Sequence, residues 1–435
     1  MLLESTRHQS PPVTFRQAIV GGLAPDGGLY LPVQLPALRR EDIGALRALP
    51  PPELAARLAA RLLDGEFPPG VVERLTADAF NIATPVVALE GRHAVLELFH
   101  GPTLAFKDFG ARFLARFLGY LLGETGDTAT ILVATSGDTG SAVAHGFHLV
   151  PQVRVVLLYP KGRVSPFQEA QMASLAGNVR ALRVPGTFDD CQRLVKRAFS
   201  DPTLACLRLS SANSINIGRL LPQSFYFVAS YLAVARTAGE PIVFSVPSGN
   251  LGDLTAGVLA QRLGLPVRQF VAACNRNDVL PEFLRTGTYR ARPAVPTLSN
   301  AMDVGDPSNF PRLSALHGDS ADAMRANLVG LAIDELTTRA TIREVHARTS
   351  YVLDPHGAVG YAAACEYARH DPSGIPIVTL ATAHPAKFGA AIAEELGFAP
   401  ALPAGHEDWA SRPILAADLG GTDYDCFREW LLGER

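Results

Sequence analysis

From residue 130 to residue 273 this chain repeats one pattern: a short apolar run, a polar turn, then a helical stretch. Apolar runs fall at 130–134, 154–159, 179–184, 206–209, 241–246 and 268–273, with one more at 375–381. Helical periodicity fills 141–148, 166–175, 188–199, 220–235 and the stretch ending at 263. Strands separated by helices of this length pair most readily in parallel, with the helices crossing over the sheet faces. The pattern predicts an α/β protein with mostly parallel sheets. Ahead of it, residues 13–100 form an N-terminal region with a Gly/Pro-rich turn at 21–28, a helix near 52–63 and strands at 85–89 and 94–99. Phe106, Phe109, Phe113, Leu114, Phe117, Leu118 and Leu121 have helical spacing. Residues 399–435, with Pro400, Pro403 and Pro413, read as a peripheral tail. No short-period repeat interrupts the chain.

At 435 residues the chain has room for two or three domains of roughly 100–200 residues each. Its net charge of −3 gives no bulk attraction to nucleic acid or anionic membrane, so any phosphate binding must be local. No apolar run approaches the roughly 20 residues of a membrane span. The first dozen residues lack a signal-peptide core, which places the expected site of action in the cytoplasm. Five widely spaced cysteines without a C-x-x-C read as free thiols, not as a disulfide frame or a metal site.

Four of the 39 basic residues are lysine: Lys107, Lys161, Lys196 and Lys387; the rest are arginine. Lysine can lose its proton and attack a carbonyl, which arginine cannot. Lys107 lies among aromatic residues in HGPTLAFKDFG (100–110), a setting for a desolvated amine of lowered pKa, or else an ordinary surface lysine. The turn TSGDTG (135–140) offers free N–H groups at a helix start to an anion, or is simply a capped helix. PSGNLGD (247–253) can curl into a nest for a single phosphate, or is a tight βα turn. It has neither the nucleoside-triphosphate nor the dinucleotide spacing. SANSINIGR (211–219) ends in Arg219, able to grip a carboxylate or phosphate, or to sit on the surface beside a helix cap. In TAHPAKF (382–388), Thr382 presents a hydroxyl at a strand end; His384 reads as a cap or packing residue, and Lys387 is left open. Lys161 is a further candidate cation near a strand end, and Lys196 reads as surface. Zinc-protease and α/β-hydrolase motifs are missing.

Taken together, HGPTLAFKDFG, TSGDTG, SANSINIGRLL, VPSGNLGD, LSNAMD (298–303), TAHPAKF and the early LAPDGGLYLP (23–32) resemble the threonine synthases, among the pyridoxal-phosphate enzymes of the tryptophan-synthase-β type. The matches run in order from about residue 13 to 390; Leu251 stands where Phe is usual, and Gly218 where Ser or Ala is common. The resemblance implies a fold type II enzyme with two open α/β domains and an N-terminal region packed on the larger one. The expected divisions are 1–100 for the N-terminal region and 101–215 for the smaller domain, with the Schiff-base lysine at its start. The larger, cofactor-phosphate domain is expected at 216–398 and the tail at 399–435.

It also implies that Lys107 carries pyridoxal phosphate and moves protons, and that Phe106 lies against the cofactor. Ser248, Gly249, Asn250, Leu251 and Gly252 would hold its phosphate, Thr382 would face its ring nitrogen, and Asp138 its 3′-oxygen. Ser136, Gly137 and Thr139 are the expected substrate-carboxylate residues, with Thr135 beside them among the substrate-binding residues; Lys161, Ser214, Asn216, Arg219 and also Asn250 would bind the substrate phosphate. No metal is implied. The implied reaction is O-phospho-L-homoserine and water to L-threonine and phosphate, by a monomer or homodimer. The competing readings are a phospho-lyase giving 2-oxobutyrate and a silent cofactor-binding relative.

Overall fold

The computed structural model describes residues 1–135 and 137–433. Two sheets carry the architecture. The larger has six strands in the order Leu328–Ala332, Val267–Cys274, Ile242–Pro247, Ile377–Ala381, His93–Glu97, Val86–Ala88. All neighbours are parallel except the last pair, an antiparallel hairpin edge. The smaller has five parallel strands, Ala416–Asp418, Val179–Val184, Val153–Pro160, Ala129–Ala134 and Leu209–Ser210. A three-stranded antiparallel sheet of Val13–Thr14, Leu2–Ser5 and Tyr30–Pro32 closes the N-terminus.

The apolar runs are continuous because both faces of the central strands are covered. In Ile242–Pro247, Phe244 and Val246 face a core containing Phe227 and Leu259, while Val243 faces the helix Pro355–His370 through Val359 and Ala363. In the smaller sheet Ile131, Val133, Val155 and Leu157 join that same large core. Leu132, Val156, Leu158 and Leu182 face the opposite side, against helix Phe188–Phe199. Helix Lys107–Thr125 lies within the shared core and stacks Phe113 on Phe117, centroids 4.3 Å apart. One apolar mass therefore runs between the two sheets and fixes the position of Lys107 at the helix start.

The stretch 206–209 is a correction to the sequence reading. Pro202–Leu207 forms a 3-10 helix, Arg208 turns back at φ 47°, and only Leu209–Ser210 pairs as a strand. The segment beyond residue 399 is more than a peripheral tail. Ala416–Asp418 adds an edge strand to the smaller sheet, and Phe427 and Leu431 of helix Tyr424–Gly433 enter its outer core. Prolines mark the approach to that strand, and they masked the docking elements that follow. No described helix is long and apolar enough to cross a membrane.

Candidate active site

The strands Ala129–Ala134, Ile242–Pro247 and Ile377–Ala381 deliver their turns at carboxyl ends, where open α/β sheets bind ligands. The segment ahead of Lys107 is fastened to one of them. Phe106 N–H donates to Thr382 O at 2.9 Å, and His384 N–H to Leu104 O at 3.0 Å. Thr103 N–H and Oγ1 donate to the buried carboxylate of Asp108 at 2.9 and 2.7 Å. The amine that follows is therefore presented from a rigid loop. Lys107 Nζ lies 5.6 Å from the Phe106 ring centre, and the side chain keeps 18 % of its surface, enough to be reached. Burial lowers its pKa; Asp138 pulls it back up, Lys387 and Arg219 push it down again, and the net shift is downward. An amine of this kind is available as a neutral nucleophile and base.

Asp138 opens helix Asp138–Phe147 and is buried. Its Oδ2 stands 3.8 Å from Lys107 Nζ, and its Oδ1 2.7 Å from Lys387 Nζ. Burial alone would raise its pKa, but Lys387 first and Lys107 second hold the carboxyl well below the usual carboxylate range. Before the helix, the buried Thr135 hydroxyl accepts from Gly137 N–H at 3.0 Å and Gly140 N–H at 2.8 Å. Thr135, expected among the substrate-binding residues, thus uses its hydroxyl to shape the turn. Gly137 commits its N–H to that bond, and Thr139 stays half-buried in the first turn. Ser136 lies outside the described residues.

The loop 248–252 joins Ile242–Pro247 to helix Gly252–Arg262. The N–H groups of Gly249, Asn250 and Leu251 find no backbone acceptor among the described residues. Leu251 takes the left-handed conformation, φ 60°, which curls successive N–H groups toward one point at the helix start. Gly249 is required sterically: a Cβ there would lie 2.7 Å from Met302 Cα. That contact explains the LSNAMD motif, which backs the loop. Ser248 is buried, its hydroxyl donating to Val246 O at 2.7 Å. Thr382 is buried at the end of the neighbouring strand. A desolvated amine, a phosphate-sized nest and a neutral hydroxyl at adjoining strand ends fit pyridoxal phosphate.

Arg219 is buried in helix Ile217–Leu220. It donates to Ala212 O and, from Nη2, to Lys107 O at 3.5 Å, while its Nε has no partner among the described residues. Burial lowers its pKa to about 10 against the pull of Asp108. Such a guanidinium is poised for an anion. Asn250 Nδ2 donates to Ser214 Oγ at 2.7 Å, so these two expected residues meet.

Two expected phosphate ligands do not join them. Asn216 caps its helix by accepting from Gly218 N–H at 2.9 Å, and its amide donates to Ile19 O and Ser211 O at 2.9 and 3.2 Å. A short amide before a helix serves a cap as readily as a ligand. Lys161 is 54 % exposed and pairs with Asp418 at 3.2 Å, drawn to the added edge strand.

Sequence reasoning missed one group and left the role of a second open. The segment 306–312 surrounds Ser214 and Asn250: Ser308 N–H donates to Asn250 Oδ1 at 2.6 Å, and Asn309 Nδ2 to Ser214 Oγ at 3.1 Å. Arg312, fully buried, donates to the carbonyls of Tyr30, Ser214 and Ile215 and to Asn309 Oδ1. The other is Lys387, whose signal was the scarcity of lysine. His384 accepts from Ala386 N–H at 3.1 Å and caps the 3-10 helix Pro385–Phe388.

Family comparison agrees with this geometry. The family model described as pyridoxal-phosphate dependent enzyme matches residues 80–383. Models of the threonine synthase N terminus and C-terminal region match 3–80 and 357–429. The threonine synthase of Escherichia coli is 41 % identical over 436 residues, covering all of both chains. Among solved structures, a PLP-bound threonine synthase from Brucella melitensis superposes with a TM-score of 0.93 at 38 % identity, over 99 % of this chain and 98 % of that one. The yeast threonine synthase gives 0.92 at 31 % identity, over 100 % and 99 %. With its Lys107 amine, phosphate nest and two-sheet frame, this chain belongs to the threonine synthases, pyridoxal-phosphate-dependent lyases of fold type II.

Proposed function

We propose that this chain converts O-phospho-L-homoserine and water to L-threonine and inorganic phosphate, in the cytoplasm, as a monomer or homodimer, with pyridoxal phosphate held on Lys107. The observation that carries the reading is the partly exposed, pKa-lowered amine of Lys107, with Asp138 3.8 Å from its Nζ and the buried Arg219 donating to its backbone carbonyl.

Pyridoxal phosphate, when bound, supplies the electron sink that makes protons on the substrate's Cα and Cβ acidic. The loop 248–252 takes the cofactor phosphate on its N–H groups and helix start. Thr382 offers the ring nitrogen a neutral hydroxyl, which, unlike a carboxylate, does not enforce its protonation. With the cofactor bound, Phe106 would line its side of the amine and Asp138 would stand near its 3′-oxygen. Thr139, in the first turn of helix Asp138–Phe147, and Ser136 take the substrate carboxylate, with Gly137 shaping the turn between them. Arg219, Ser214 and Asn250 take the substrate phosphate, and Arg312 holds the Ser214–Ile215 backbone behind them. Lys107 removes the Cα proton. A Cβ proton follows, phosphate leaves Cγ, and Arg219 balances its charge. Cγ takes a proton, water adds its hydroxyl to Cβ, and Lys107 returns a proton to Cα.

The test is product analysis of the cofactor-loaded protein given O-phospho-L-homoserine. Threonine with equimolar phosphate is the expected result. 2-Oxobutyrate with phosphate would replace the reading with a phospho-lyase, and no phosphate release would end it.

A further inference from the structure

Lys387 takes no part in the reaction as described, yet it is the most enclosed amine in the site. Its side chain is 0 % exposed. Its Nζ donates to Asp138 Oδ1 at 2.7 Å and to Thr103 O at 2.9 Å. Asp138 Oδ2 faces Lys107 Nζ at 3.8 Å, so a single carboxylate stands between two amines. Gln168 Nε2 also donates to that carboxylate, at 3.2 Å. Through these bonds Lys387 ties three elements together: the turn after Ile377–Ala381, the start of helix Asp138–Phe147, and the loop that presents Lys107.

A buried carboxylate needs a cation. Lys107 cannot be a constant one, because its nitrogen is bound to the cofactor in one part of the cycle and carries a proton in another. Lys387 has no competing duty and is held by the capped turn around His384. We infer that Lys387 is a positioning residue of the reaction: it keeps Asp138 a fixed anion beside Lys107, so that protons move on Lys107 and not on its carboxylate neighbour. The inference rests on the reading of Lys107 as the cofactor-bearing amine.

The other charged or titratable groups facing this pair are Arg219 toward Lys107, His356 toward Asp138, and Asp108 behind Lys387. All three remain when Lys387 is replaced. Loss of the Lys387 charge then raises the proton affinity of the Lys107–Asp138 pair, wherever in the pair the proton sits. A merely structural pin would change stability and leave that affinity alone.

The experiment uses the full chain freed of cofactor, with pyridoxal phosphate as the probe. The rate at which its absorbance appears on Lys107 is followed against pH in wild type, Lys387→Met and Lys387→Gln. The cofactor's own ionisations are common to all three, and glutamine keeps a hydrogen bond to Thr103 O without the charge. The expected result is a rise in rate with pH whose midpoint moves up by about 1–3 units in both variants, so that capture at a fixed pH below both midpoints is about 10- to 1000-fold slower. If Lys387→Met does not fold, Lys387→Gln decides alone. An unmoved midpoint overturns the inference. Capture that persists in Lys107→Ala overturns the underlying reading instead.

Discussion

Gly249→Ala is the smallest change that tests the phosphate loop. The added Cβ would lie 2.7 Å from Met302 Cα, 3.1 Å from Ala301 O and 3.3 Å from Met302 C, all backbone atoms that no side-chain rotation can clear. Ordinary contact begins at 3.4 Å, so the loop or its support must move by about 0.7 Å. A 2.9 Å hydrogen bond stretched by about that much is no longer one. Overpacking of this kind costs about 1–3 kcal/mol. If the strain is relieved by displacing the N–H groups of residues 249–251, pyridoxal phosphate binds about 5- to 150-fold more weakly. The assay is equilibrium titration of the cofactor-free chain with pyridoxal phosphate. Gly44→Ala is the control. It lies in helix Arg40–Leu46 with nothing within 4 Å of the added Cβ, so affinity should be unchanged. Wild-type affinity in Gly249→Ala would refute the assignment of this loop to the cofactor phosphate.

Lys107→Ala should abolish turnover while leaving the far-UV circular dichroism spectrum and the cooperative melt in place; retained activity would remove the lysine from the mechanism. Arg312→Ala strands the buried carbonyl of Tyr30 and removes the donor to the half-buried carbonyls of Ser214 and Ile215, and should destabilise the chain by about 1–3 kcal/mol or more in urea unfolding. Asp253→Asn tests a buried acid. Burial raises the Asp253 pKa to about 7, the Tyr226 hydrogen bond opposing it, and its Oδ2 has no partner among the described residues. Folded protein therefore holds a proton that unfolded protein has lost between about pH 4 and 7. Wild-type stability falls as pH rises through that window, and the variant should gain on wild type across it and level off above. Urea midpoints at a series of pH values check this, and a constant difference would contradict it.

The sheets were legible because strands covered on both faces have little room for polar residues, so 130–134, 241–246 and 375–381 announced themselves as apolar runs. Edges were less readable. Leu328–Ala332 pairs with only one neighbour, and Ala416–Asp418 spans three residues, two of them alanine, with no run to detect. Lys107 stood out because lysine is scarce in this chain and this one sits among aromatic residues, while the loop 248–252 and Thr382 stood out as small and hydroxyl residues directly after apolar runs. Asn216 and Thr135 are hard to place from sequence because caps and ligands use the same short polar groups, and only three-dimensional bookkeeping of donors and acceptors shows which bonds they make. The segment 306–312 leads into the short helix Phe310–Ala315, and Arg312 works there from a fully buried position. Nothing local in the sequence says that a guanidinium will be satisfied by backbone carbonyls from residues nearly a hundred or more positions away.

With only four lysines in the chain, the central claim has a direct chemical test. Reduction of the cofactor-loaded protein with borohydride fixes pyridoxal phosphate to the lysine that holds it, and peptide mass mapping then locates the adduct. The account predicts a single modified site at Lys107, the amine left partly exposed beside Asp138. An adduct on Lys387, Lys161 or Lys196, or none at all, would contradict it.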